Sequence, residues 1–99
     1  MVIGERIKEM VDMTVEKTGM SKEDIADKSG VTAQTMSAIF RSDNVTLDTL
    51  TRICHACDMR AYWFVASIEL PKMPVEAFKI MEEIFFLPQK KREFFLRQI

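Results

Sequence analysis

The sequence predicts an all-α fold of five short helices followed by a two-helix C-terminal extension. Two observations lead there. Apolar residues recur at three- and four-residue spacing in successive segments, and hydroxyl residues suited to helix capping, Ser21, Thr32 and Thr46, stand between those segments beside the breaks at Gly19 and Gly30. A third, Pro71, Pro74 and Pro88, punctuates the C-terminal third.

The first helix is expected over Ile3 to Thr18, with Ile3, Ile7, Met10, Val11 and Thr14 forming its inward stripe. Gly19 ends it. Ser21 caps a short second helix over residues 22–29, and Asp24 three residues on partly reproduces a capping box. Ile25 and Ala26 face inward, Gly30 supplies a permissive turn, and Val31 plugs the corner. Thr32 then caps a third helix that Met36 and Ile39 anchor. Thr46 opens a fourth, LDTLTRICHACD, whose apolar side is expected to be Leu47, Leu50, Ile53, Cys54 and Cys57. A fifth contains Tyr62, Trp63, Phe64 and Val65, with Trp63 read as a packing residue.

The twenty residues KEDIADKSGVTAQTMSAIFR have the spacing of a helix-turn-helix, and its second helix would enter a major groove of duplex DNA. Gln34 suits an adenine edge, Thr35 and Ser37 offer hydroxyls to bases or phosphates, and Ala33 suits a thymine methyl. These residues fit a solvated helix face equally. Arg41, Ser42 and Asn44 in the following turn could hold the phosphate backbone, although Asp43 beside them would repel it and the segment also reads as a plain loop.

The chain has 99 residues, 47% of them hydrophobic, which suits one compact unit and argues against disorder. There is no room for an independent catalytic domain. No apolar run is long enough to span a membrane, and the charged start MVIGERIKEM lacks a secretory core, so a cytoplasmic location is expected. Fourteen Lys and Arg against fifteen Asp and Glu give a net charge of −1, so nonspecific DNA affinity should be weak unless the basic groups are focused. Lys22, Lys28 and Arg41 lie in or beside the motif, whereas Glu5, Glu9, Asp12 and Glu16 fall on the first helix and could face away from DNA.

Cys54 and Cys57 form one CxxC run. A lone pair within an apolar helical pattern fits core thiols better than zinc, and a disulfide is unexpected in a cytoplasmic chain. His55, the one histidine, is read as exposed. No metal, cofactor or enzymatic chemistry is called for.

Over Ile3 to about Val65 the chain resembles the Cro/CI-type helix-turn-helix family, also called XRE, of phage repressors and bacterial regulators. The segments IGERIKEM, SKEDIADKSGVTAQTMSAIF and TLDTLTRICHACDMRAYWF carry the likeness in order, over about two thirds of the sequence. It implies a five-helix lambda-repressor-like domain at residues 1–67, followed by the helical extension at 68–99. It also implies a dimeric repressor that reads a roughly palindromic operator. By position, Ala33, Gln34, Thr35 and Ser37 would contact bases, and Lys22, Thr32, Arg41, Ser42 and Asn44 phosphates. The chain departs from the family pattern where Lys22 replaces a frequent Gln and Phe40, Arg41 and Ser42 replace Glu-Arg-Gly.

Beyond the motif, Val75, Phe78, Met81, Ile84 and Phe85 follow helical spacing over Val75 to Leu87, and KKREFFLRQI can form a final helix. Five of the seven phenylalanines lie in this tail, more than one small domain would cover. Phe78, Met81, Phe85, Phe94 and Phe95 are therefore expected at a homodimer interface, with packing within one copy or against a different protein as the alternatives. Lys90, Lys91 and Arg92 read as a solvated run. The competing reading is a protein-interaction module, such as an antitoxin or a regulator-binding protein, that keeps the fold as a scaffold.

Overall fold

The computed structural model describes residues 3–86 together with Arg97. Among residues 3–86 six helices follow in order: α1 (Ile3–Thr18), α2 (Lys22–Lys28), α3 (Ala33–Arg41), α4 (Leu47–Ala56), α5 (Ala61–Glu69) and α6 (Val75–Phe85). The final helix expected from KKREFFLRQI, and with it Phe94 and Phe95, lies outside the described residues.

Helix α1 is the centre of the packing. It buries Ile7, Met10, Val11 and Thr14 and touches α2, α3, α5 and α6. Gly19, at φ +78°, donates its N–H to the Val15 carbonyl and turns the chain out of the helix. The capping box opening α2 is complete: the Ser21 hydroxyl accepts from the Asp24 amide at 3.0 Å, and the Asp24 carboxylate accepts from the Ser21 amide at 3.3 Å.

Helices α2 and α4 end in the same way. Val31 N–H reaches back to the Ala26 carbonyl and Gly30 N–H to Asp27, with Gly30 at φ +72°. After α4, Met59 N–H reaches Cys54 and Asp58 N–H reaches His55, and here a non-glycine residue, Asp58, takes the left-handed conformation at φ 54°. Both are Schellman closures, which satisfy the last carbonyls of the helix and turn the chain sharply.

The core gathers Ile7, Met10, Val11, Ile25, Met36, Ile39, Ile53, Cys54, Phe64, Val75 and Phe78 into one cluster. Val75 and Phe78 belong to α6, so this helix beyond residue 67 closes the same core as α1 to α5. Two charged side chains of α1 make that closure. Glu9 Oε2 accepts the N–H of Val75 at 2.8 Å, capping α6, which starts after Pro74 with no cap of its own. Glu9 Oε1 pairs with the buried Arg6 at 3.0 Å, and Arg6 also donates to the Leu70 carbonyl at 2.9 Å.

Two expectations need correction. Phe78 is 2% exposed and fills the core between α6 and its neighbours, so it is not available to an interface between copies. Leu47, expected on the inner side of α4, is 74% exposed, because it is the first residue of the helix and the inward stripe starts one turn later at Leu50.

Candidate nucleic-acid interface

Helix α3 is held by its inner face and bare on its outer one. Met36 and Ile39 are buried three residues apart, while Ala33, Gln34, Thr35, Ser37 and Ala38 are exposed. Thr32 caps the helix by accepting the Thr35 amide at 3.0 Å. The amides of Ala33 and Gln34, in the first turn, have no acceptor within the helix and mark its positive end.

Ala33, Gln34, Ser37 and Arg41 together line one shallow cleft. Their spacing puts them on one stripe of the helix, with a guanidinium at the C-terminal end and amide and hydroxyl groups before it. Thr35 is not part of the cleft lining, and its hydroxyl accepts from the Thr32 hydroxyl at 2.9 Å. Thr35 and Thr32 therefore serve first to start the helix.

The other residues expected at the backbone are placed as follows. Lys22 is exposed at the start of α2, 3.6 Å from the Asp12 carboxylate and 6.0 Å from the Phe40 ring centre. Arg41, the last residue of α3, and Ser42 and Asn44 just after it are exposed. Ser42 donates its amide to the Ile39 carbonyl at 3.2 Å and accepts the Asn44 amide on its hydroxyl at 3.2 Å, so this turn is folded. Asp43, expected to repel phosphate, accepts the Gly4 amide of α1 at 3.2 Å.

Glu5, Glu9, Asp12 and Glu16 lie along a groove between α1 and the start of α6, with Pro74 and Glu76. None of them lines the α3 cleft. Five of the fifteen acidic residues are thus gathered along this groove, with Lys8 among them, and Arg41 stands in the α3 cleft without a carboxylate in the same lining.

Arg52 is a neighbour of the motif that sequence reasoning missed. A side chain at Gly30 would meet its guanidinium, with Nη1 2.7 Å from a Cβ, and Arg52 is held by Asp48 at 3.1 Å. No local pattern announces it, since α4 and the turn meet only in the folded chain.

Cys54 and Cys57 are free and buried. Burial pushes the Cys54 thiol up to about 12, with Cys57 and Glu82 adding to it. Burial also raises Cys57, against the lowering effect of the Thr14 hydroxyl and Lys79. Both are neutral packing groups near neutral pH, as their place in an apolar stripe suggested. Among the described residues no three metal-ligating side chains come together, and no helix is long and apolar enough to cross a membrane.

A capped helix, a glycine turn and a second helix with a bare polar stripe define a DNA-binding helix-turn-helix domain. The chain belongs to the helix-turn-helix family of Cro/CI (XRE) type, whose model, described as Helix-turn-helix, matches residues 15–64. That match runs from the last turn of α1 into α5. Proteins of this family are DNA-binding regulators and not enzymes. No curated protein and no solved structure gives a significant match to the chain.

Proposed function

We propose that this chain is a sequence-specific regulator that binds duplex DNA through α3 and represses transcription as a homodimer on a roughly palindromic operator. The observation that supports it is the outer stripe of α3, where Ala33, Gln34, Ser37 and Arg41 share one open cleft opposite the buried Met36 and Ile39.

In this reading Gln34 pairs with a base edge, Ala33 and Ser37 make smaller contacts beside it, and Thr35 contributes after its capping role. Arg41, Lys22, Ser42, Asn44 and the Thr32 end of α3 set register on phosphates. Exposed Met81 and Phe85 on α6 are the candidates for contact between copies, joined by Phe94 and Phe95, which lie outside the described residues. Such a dimer would set two reading helices about 34 Å apart, one duplex turn.

Fluorescence anisotropy with duplexes from around the chain's own gene tests the proposal. Saturable binding that selects one fragment, and that Gln34→Ala abolishes for that fragment alone, is the expected result. Equal binding to every fragment, removed by moderate salt, would overturn it.

One observation favours a second reading, a module that engages another protein. Tyr62, Trp63, Phe85 and Phe86 form a run of ring contacts on the outside of α5 and α6, with centroids 5.5 to 6.0 Å apart, and the Arg60 guanidinium lies 3.7 Å from the Phe86 ring centre. Partner capture that survives Gln34→Ala and fails with Phe85→Ala would select it.

A further inference from the structure

The start of α1 is pressed against the end of α3. Gly4 is buried there, and a Cβ on it would lie less than 3.0 Å from the carbonyl oxygens of Ile39, Phe40 and Ser42. Only the absence of a side chain lets the backbones approach so closely. The positive end of α1 thus meets the negative end of the reading helix, a favourable pairing of helix ends.

Gly4 is the second residue of α1, so its amide has no acceptor within the helix. Asp43 supplies one, through Oδ1 at 3.2 Å, across 39 residues of chain. The two residues flanking Asp43 are held by the Ser42 amide on Ile39 and the Asn44 amide on the Ser42 hydroxyl. The turn that presents Arg41, Ser42 and Asn44 is therefore fastened to α1 at its middle, and the Asp43 charge rests on the positive end of a helix.

We propose that Asp43 is a positioning residue for DNA recognition: its bond to the Gly4 amide holds the end of α3 and the 41–44 turn in register with the phosphate backbone. The proposal rests on the DNA-reading function above. It assigns a constructive role to a carboxylate whose charge alone would weaken binding.

The test compares the full chain with Asp43→Ala and Asp43→Asn, using two readouts. The first is hydrogen exchange at the Gly4 amide, which involves no DNA. The second is the ratio of affinities for the selected fragment and a scrambled duplex. Asp43→Ala should strip protection from Gly4 and lower the ratio about tenfold, equivalent to about 1.4 kcal/mol. Asp43→Asn keeps an acceptor oxygen in place and should restore both. If Asp43→Ala does not fold, Asp43→Ser, one bond too short to reach Gly4, replaces it.

Unchanged Gly4 protection in Asp43→Ala overturns the proposal whatever the DNA result. Equal tightening of all duplexes by Asp43→Ala and Asp43→Asn also overturns it, since the carboxylate would then act only by repulsion. A normal exchange result with no duplex bound by the unaltered protein overturns the DNA reading itself, and the positioning role with it.

Discussion

Lys79 and Glu82 form a buried ion pair on the inner face of α6, Nζ and Oε1 3.4 Å apart with both side chains nearly inaccessible to solvent. Each is satisfied by the turn between α4 and α5: Lys79 donates to the Asp58 carbonyl, and Glu82 Oε2 accepts the Arg60 amide at 2.8 Å. Removing Glu82 leaves the nearly buried Lys79 with the Asp58 carbonyl and only the solvent-exposed Asp58 carboxylate, 3.6 Å away, to offset its charge, which is costlier than losing the attraction alone. Glu82→Ala should lower stability by about 3 kcal/mol in urea unfolding. Glu82→Gln, which keeps an acceptor for Arg60, should cost clearly less. Equal losses would show that the amide bond to Arg60 contributes little.

The two Schellman closures predict opposite responses to substitution. Gly30→Ala places a side chain at φ +72° and against Arg52, and should cost about 1–2 kcal/mol. Asp58→Gly relieves an L-residue of the left-handed conformation at φ 54° but also removes the carboxylate 3.6 Å from Lys79 Nζ; because that carboxylate is fully exposed, the backbone effect should dominate and leave a net gain of less than about 1 kcal/mol. Thermal melts of the two variants check both signs.

Phe78 and Phe85 lie two turns apart on α6 and should behave as different kinds of residue. Phe78→Ala empties part of the core and should cost about 3–5 kcal/mol. Phe85 is 56% exposed, so Phe85→Ala should change the stability of a single copy by less than about 1 kcal/mol. Its expected effect is on self-association, read by sedimentation at several concentrations. An unaltered sedimentation profile would remove Phe85 from the dimer proposal.

Alkaline pH should destabilise the fold through Cys54. Its folded value stands at about 12 against an ordinary 9.0, so above pH 9 the unfolded chain releases this proton while the native state retains it. The thiol's contribution is complete below that value and is lost as pH rises toward 12, at no more than about 1.4 kcal/mol per pH unit. Cys54→Ala has no such proton. The stability gap between the native protein and this variant should therefore narrow from about pH 8 to about pH 10.5. A constant gap would mean that the thiol ionises as readily in the folded chain as in the unfolded one.

Most helices were legible because their signals are local. Thr32 and Thr46 cap where their hydroxyls precede an apolar stripe, and Gly19 and Gly30 turn where a left-handed residue is needed. On α6 the spacing of apolar residues did not reveal which face is inward, and Phe78 was expected at an interface between copies. Hydrophobicity selects Val75, Phe78, Met81, Ile84 and Phe85, whereas the buried stripe is Val75, Phe78, Lys79 and Glu82. The reason is the surface opposite: the turn after α4 offers a carbonyl at Asp58 and an amide at Arg60, so charged partners are the matching groups there. On α3, the exposed stripe was legible from the positions of Met36 and Ile39. The bond between Asp43 and Gly4, and the cap that Glu9 gives α6, join residues 39 and 66 positions apart, and no local pattern announces such a meeting.

Helix α1 lies against both α3 and α6, and the same apolar cluster takes residues from all three. A molecule built this way behaves as a caliper with fixed jaws: among the described residues one continuous apolar cluster links α6 to α3. Two such units joined through α6 would tolerate little change in the spacing of their half-sites. One inserted base pair advances the duplex by about 3.4 Å and also rotates the far half-site around its axis. A rigid pair could meet that only by bending the DNA, so the length of the spacer would be discriminated as strictly as the bases themselves.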